Sequence, residues 1–331
     1  MNALAPRPSL PHRPVPGRRS TPAINGQCFK TSRKSDMSDT SSPPRLGWLR
    51  DLPSIRDYTP DHHAVKPLLS KLRGAGARVG PAELAPSVDL RAWFSPIENQ
   101  LNLGSCTANA GLGLLEYCER RAFGKHIDGS RLFLYKATRN LLKWTGDTGA
   151  YLRSTMEALA LFGVPPEEYW PYVVANFDAE PSAFLYSFGS NYQAVKYYRL
   201  DPSGTSKAAL LNAIKTNLSA GLPSFFGFTV YNSYTQANAA NKGAIPFPTA
   251  TDRVVGGHAV DVAGYNDNLV IRNSNAGSAP TTGALLIRNS WGTGWGDAGY
   301  GWLPYDYVLK GLAVDWWSLI NAEWVDTGKF G

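Results

Sequence analysis

Three short segments, spread over about 200 residues, constrain this chain more than any other feature. Gln100-Leu101-Asn102-Leu103-Gly104-Ser105-Cys106 comes first, then Gly257-His258-Ala259-Val260, then Asn289-Ser290-Trp291-Gly292-Thr293-Gly294-Trp295-Gly296. A lone Cys is usually an inert core residue and a lone His is usually structural. A fold that gathers these three segments, however, joins a thiol nucleophile, a base and an amide that orients the base. A glutamine six positions before the thiol adds a side-chain N–H that, with the Cys106 backbone N–H, can hold an oxyanion.

In the order Cys, His, Asn, these segments resemble the papain-like cysteine peptidases, and among them the bacterial branch. The likeness runs over roughly residues 86 to 310, from Val88-Asp89-Leu90-Arg91 to the stretch Trp295-Gly296 and Gly299-Tyr300. It implies an α+β, two-lobed fold, a mainly helical lobe and a mainly β lobe with the active site in the cleft between them. It further implies hydrolysis of peptide bonds through an acyl-thioenzyme on Cys106, with His258 as base, Asn289 orienting it and Gln100 on the oxyanion. Gly149, Ala150, Ala259 and Trp291 fall where the family contacts its substrate. Ala150 stands where a second Gly is usual, so a narrower subsite is expected. Two departures are visible: the family's Cys three places before the nucleophile is Leu103, and the aromatic after it is Thr107. The first removes a familiar disulfide. Two alternatives keep the same cleft, a catalytically silent peptide-binding module and an acyl transferase or amidase using the same Cys-His-Asn set.

Composition narrows the partners. With 43% hydrophobic and 12% aromatic residues the 331-residue chain can bury a large core. The formal charge of +7 resides entirely in residues 1–50, which hold nine Lys or Arg against Asp36 and Asp39. A basic tail of this kind, rich in Pro and Ser, reads as a solvated leader, so no nucleic-acid partner is expected. No run of about 18 apolar residues occurs and the N-terminus lacks the apolar stretch of a secretory signal, so neither a membrane span nor classical export is expected. A monomer acting on peptides or proteins, in the cytoplasm or exported by a non-classical route, is the resulting picture. No cofactor or metal is called for: three Cys and five His offer no Cys-x2-Cys or His-x3-His pair, and neighbouring His62 and His63 diverge in any regular element. Cys106 and Cys118 lie on one expected helix, roughly 18 Å apart, beyond disulfide reach.

The chain divides into a disordered leader over 1–45, a segment over 46–86 and a peptidase domain over 87–331, with a helical lobe at about 97–205 and a β-rich lobe at about 206–310. The middle segment carries Leu46, Trp48, Leu49 and Leu52, apolar surface that favours docking, and it precedes the domain where the family keeps inhibitory pro-segments. It is expected to act as an intramolecular inhibitor. Within it a short helix over Val65–Leu72 precedes a Gly-rich link, Gly74-Ala75-Gly76. Further helices are expected over Thr107–Phe123, where the positive end beside Cys106 favours thiolate, over Ser154–Phe162, and around Leu210, Ile214 and Leu218. Strands are expected over Ser224–Tyr231, His258–Tyr265 and Ala284–Asn289, with Asn266–Gly283 a surface loop. Ile271-Arg272-Asn273-Ser274 echoes Ile287-Arg288-Asn289-Ser290, so Asn273 competes with Asn289 for the orienting role. Only Asn289 is followed by an indole able to shield its hydrogen bond from water.

Overall fold

The computed structural model describes residues 45–76, 84–191, 196–275, 277 and 279–330. The leader other than Arg45, together with Cys28 and residues 77–83 of the expected linker, lies outside the described residues.

A buried helix organises the first half of the domain. α2 (Cys106–Phe123) follows three elements of the N-terminal part, β1 (Trp48–Leu49), α1 (Lys66–Gly76) and β2 (Ser87–Asp89). It begins at the nucleophile itself and ends at Gly124, whose left-handed conformation (φ 74°) lets its N–H return to the Arg120 carbonyl at 2.9 Å. The sequence suggested one apolar face. Instead nearly every α2 residue from Cys106 to Cys118 is buried, because the helix is packed on two sides. Gly111 gives access on one side: an added Cβ there would meet the Thr155 side chain at 3.0 Å. Gly113 gives access on the other, where a Cβ would lie 2.4 Å from the Asp261 carboxylate. These two glycines therefore trade helix propensity for close approach.

α3 (Arg131–Leu141) starts at Ser130, whose hydroxyl accepts from the Phe133 N–H. β3 (Ala150–Tyr151), α4 (Leu152–Phe162) and α5 (Ala183–Gly189) complete the helical part, with α3 and α4 packed on each other. Beyond them come β4 (Lys196–Arg199), α6 (Lys207–Ser219), β5 (Ser224–Tyr231), β6 (Val254–Ile271), β7 (Thr281–Arg288), β8 (Tyr300–Pro304), α7 (Tyr305–Leu309), β9 (Ala313–Ile320) and α8 (Ala322–Asp326). Strands β4, β9, β5, β6, β7 and β8 lie side by side in that order, each neighbour antiparallel, and β2 pairs with the far end of β6. Alternating large apolar side chains fill the sheet's core, with Phe226 and Trp316 stacked at 3.8 Å.

Two sequence expectations fail here. Gly74-Ala75-Gly76 is no link: it forms the last turn of α1, whose Leu69 and Leu72, with Val65 just before the helix, are buried in the core. Asn266–Gly283 is not one loop either, because β6 runs on to Ile271 and β7 starts at Thr281, so ladder pairing continues through polar residues. Polar composition misled because cross-strand pairing at a sheet end needs no buried side chain. Among the described residues no helix is long and apolar enough to cross a membrane.

Candidate active site

The three sequence segments converge. Cys106 opens α2, His258 lies in the first third of β6 opposite Phe228 of β5, and Asn289 follows the last residue of β7, all three buried. His258 Nε2 and Asn289 Oδ1 are 2.7 Å apart. The Ser290 backbone N–H also points at that Asn289 atom, at 2.8 Å. A backbone N–H can only donate, so the atom is the amide oxygen, and Nε2 of a neutral ring must carry the proton it shares. Nδ1 is then the free lone pair, and among the described residues it has no hydrogen-bond partner. The Trp291 indole stacks on the imidazole at 4.6 Å and 24°, shutting water out of the His–Asn contact. Asn273 is elsewhere, donating to the Phe247 carbonyl and to Asp252 and accepting from Gln236.

Gln100 is fully buried. Its Nε2 reaches the carbonyls of Leu103 and Arg45, both at 2.8 Å, and since a carbonyl only accepts this fixes Nε2 as the donor; Oε1 then accepts from Ser290 Oγ at 2.7 Å. Ala259 presents its backbone N–H to the Cys106 sulfur.

The Arg45 contact marks an occupied cleft. Residues 45–50 pass over the catalytic groups, with Trp48 and Leu49 paired in parallel with Ala150 and Tyr151. The Gly47 carbonyl accepts from Ala150 N–H at 2.9 Å, and the Gly47 backbone is packed so tightly that an added Cβ would lie 1.9 Å from the Gly104 carbonyl oxygen. A Cβ on Gly149 would likewise sit 2.2 Å from the Gly47 oxygen. Trp48 is buried and Leu46 packs partly against the core, but Leu52 is 69% exposed, so that part of the expected apolar patch does not dock.

Beyond the cleft the segment is tied by charge. Arg153 of α4 pairs with Asp51 and, at 2.8 Å, with Asp57; buried Arg199 reaches Asp57 at 3.7 Å and the Asp51 carbonyl at 3.2 Å.

This cover sets the electrostatics. Burial pushes the Cys106 thiol up to about 11, although the N–H groups of Ala259, Gly47 and Thr107 pull it down. Burial also lowers His258 to about 4 against the Asn289 hydrogen bond, which raises it. The expected depressed thiol is therefore reversed in the closed chain: excluding water costs the thiolate–imidazolium pair more than the helix start returns.

A model described as papain family cysteine protease matches residues 84–309. The chain belongs to the papain family of cysteine peptidases. A peptidase C1-like protein of Acanthamoeba polyphaga mimivirus is 31% identical over 293 residues, 85% of this chain and 88% of that one. Cathepsin K of Gallus gallus is 26% identical over 217 residues, 63% of this chain and 55% of that protein. Among solved structures, xylellain, a cysteine protease from Xylella fastidiosa, aligns with a TM-score of 0.65 and 31% identity, covering 84% of this chain and 96% of the other. Procathepsin L 3 of Tenebrio molitor shares the fold at a TM-score of 0.54 and 21% identity, over 72% of this chain and 71% of that one. The papain-family chain is thus a cysteine peptidase, a hydrolase with the α+β two-lobed fold.

Sequence reading missed several residues of the site. Tyr172 bridges the Ser105 hydroxyl and the Gln100 carbonyl at 2.6 and 2.9 Å. Asp147 accepts from the Gly104 N–H and the Tyr135 hydroxyl and pairs with Arg45 at 3.1 Å. Asp315 accepts from the Trp48 indole. Asp147 lies two residues before Gly149, which the sequence singled out, but the others carried no local signal.

Proposed function

We propose that the chain is an endopeptidase using Cys106, His258, Asn289 and Gln100, held latent by its own residues 45–57. The observation that carries this reading is the stretch Arg45–Arg50, with β1 at its centre: its backbone fills the groove beside Cys106, and its Arg45 carbonyl takes the Gln100 N–H.

With the segment withdrawn and water admitted, the Cys106 thiol passes its proton to His258 Nδ1, and the thiolate attacks a peptide carbonyl carbon. The resulting oxyanion is held by Gln100 Nε2–H and the Cys106 backbone N–H. The C–N bond breaks as imidazolium gives its proton to the departing amine, leaving a thioester that water hydrolyses with His258 again as base. Asn289 keeps the ring in the tautomer this sequence needs, and Trp291 keeps that contact dry. Ala150 and Gly149 offer backbone to the substrate as they now do to Gly47.

The inhibitory part is shorter than 46–86. Val65 and α1 (Lys66–Gly76) bury Val65, Leu69 and Leu72 in the core and residues 87–89 form a strand of the main sheet, so only the stretch up to about Asp57 is free to leave without opening the domain.

Titration with an epoxysuccinyl thiol reagent, read by mass spectrometry, tests the reading in the full chain carrying Gly47→Val, a bulk the Gly104 carbonyl cannot accommodate. Labelling on Cys106, with hydrolysis abolished by Cys106→Ala, is expected. A folded variant that binds peptides but is neither labelled nor active would make the cleft a silent binding module.

A further inference from the structure

The nucleophile and the backbone that pairs with substrate belong to different stretches of the chain, and one carboxylate joins them. Asp147, just before β3, accepts on Oδ1 both the Gly104 N–H at 2.9 Å and the Tyr135 hydroxyl at 2.5 Å. The Tyr135 oxygen, presented from α3, accepts in turn the Gly149 N–H at 3.0 Å. Gly104 lies two residues before Cys106, and Gly149 adjoins Ala150, whose N–H holds the Gly47 carbonyl. The fit is close: a Cβ on Gly104 would lie 3.0 Å from Asp147 Oδ1 and 3.4 Å from the Gly149 nitrogen. Leu103 stands where a cysteine would anchor the nucleophile loop, and among the described residues Cys106 and Cys118 are both free. The hold between the two stretches is therefore made of hydrogen bonds.

From this geometry we infer that Asp147 is a positioning residue: with Tyr135 it forms a clasp that sets the distance between the Cys106 thiol and a carbonyl carbon bound on the Gly149–Ala150 backbone. The inference rests on the peptidase reading above and adds how that site keeps its alignment. Attack needs the reacting atoms about 3–3.5 Å apart, and a misplacement of about 1 Å costs on the order of 10²-fold in rate. Each stretch also has a hold of its own, so the clasp governs their relation more than their folding. On the nucleophile side, Tyr172 engages the Ser105 hydroxyl and the Gln100 carbonyl. On the other side, Gly146 donates its N–H to Asp178 at 2.9 Å, and its carbonyl accepts from Arg139 at 2.5 Å. A role in latency alone has the opposite sign. Asp147 Oδ2 pairs with Arg45 of the docked segment, so a carboxylate that only held the segment would raise turnover when removed.

The test uses the full chain opened by Gly47→Val, with kcat expressed per site titrated by the epoxysuccinyl reagent. Adding Asp147→Ala is expected to lower kcat by on the order of 10²-fold with KM held within about threefold. Alkylation of Cys106 by iodoacetamide, a reagent too small to need the substrate-pairing backbone, is expected to keep its rate. Asp147→Asn leaves an oxygen with two lone pairs for Gly104 and Tyr135, and is expected to keep kcat within about threefold of the opened parent. Tyr135→Phe should lose about tenfold, the scale of one hydrogen bond, and should lose nothing further in the Asp147→Ala background, because the two side chains act as one unit. Hydrogen exchange reads the clasp without substrate: the Gly104 and Gly149 amides should lose protection together in Asp147→Ala. Should that variant fail to fold, the loss in Tyr135→Phe with unchanged alkylation decides. Turnover per site unchanged or raised in Asp147→Ala, no loss in Tyr135→Phe, alkylation slowed in step with kcat, Asp147→Asn as impaired as the alanine variant, or exchange rising at only one of the two amides would overturn the inference. An opened parent that hydrolyses no peptide, while both amides still lose protection together in Asp147→Ala, would instead overturn the peptidase reading and leave the clasp standing.

Discussion

Whether Cys106 behaves as a nucleophile depends on what lies over it. In the closed chain its thiol is pushed up to about 11 and His258 down to about 4, so both groups are neutral across the physiological range. Cys106 should then react with iodoacetamide more slowly at pH 7 than a free thiol, its rate climbing towards pH 10–11. Gly47→Val, by letting water reach the pair, should move that rise to lower pH. Identical pH–rate profiles for the two proteins, followed by mass spectrometry of the Cys106 peptide, would contradict the burial argument. Asn289 is expected to act on chemistry more than on binding: Asn289→Ala in the opened chain should lower kcat by on the order of 10²-fold with little change in KM, because the ring loses its fixed tautomer. Asn273→Ala should spare kcat and instead loosen the loop it ties to Asp252 and Gln236. The choice between these two echoed asparagines was legible from the indole that follows only one of them. The occupied state of the thiol was not, since the segment responsible sits some 60 residues away in the chain and its effect is purely one of excluded water.

At the scale of elements, the ends of α2 and α4 were read closely, whereas the end of α1 and the packing were not. The helices expected to end at Phe123 and Phe162 do so, each followed by a glycine, Gly124 and Gly163, in left-handed or Gly-only backbone. That α2 is buried on nearly every side followed from tertiary contacts that periodicity cannot report. One consequence is testable. Glu116 on α2 is buried beside Arg288 of β7 and Asp261 of β6, and burial raises it to about 7 despite hydrogen bonds that pull it down. Its folded pKa exceeds the ordinary carboxyl value of about 4.5, so its contribution to stability is present below that value and is lost as pH rises through about 7. Glu116→Gln keeps an oxygen to accept the Gly129 N–H but has no charge to bury. Thermal unfolding should therefore find the variant and the parent alike near pH 4, and the variant more stable at pH 8 by on the order of 2–3 kcal/mol. A difference that is the same at both pH values would mean that Glu116 is not the titrating group.

For the whole molecule, the sequence conveyed the two-part fold and the meeting of Cys106, His258 and Asn289, because their order and local glycines are chain-local signals. It conveyed the docking of the N-terminal stretch only as a preference of apolar surface. Which residues dock was settled by fit: Trp48 enters because Gly227 and Gly257 make room, Gly47 passes because nothing larger can, and Leu52 stays outside. Ion pairs from Asp51 and Asp57 to Arg153 and Arg199 then hold the strand's far end, and these long-range partners have no signature in the sequence. In the latency proposed above, covalent attachment gives the segment a high effective concentration, so weak docking suffices to close the cleft. The direct measurement is peptide hydrolysis per titrated Cys106 site, for the full chain and for the full chain with Gly47→Val. A rise of at least about tenfold on substitution, reversed by adding a peptide spanning residues 45–60 of the natural sequence, is the result this account predicts. Equal turnover per site in two equally folded proteins would contradict it.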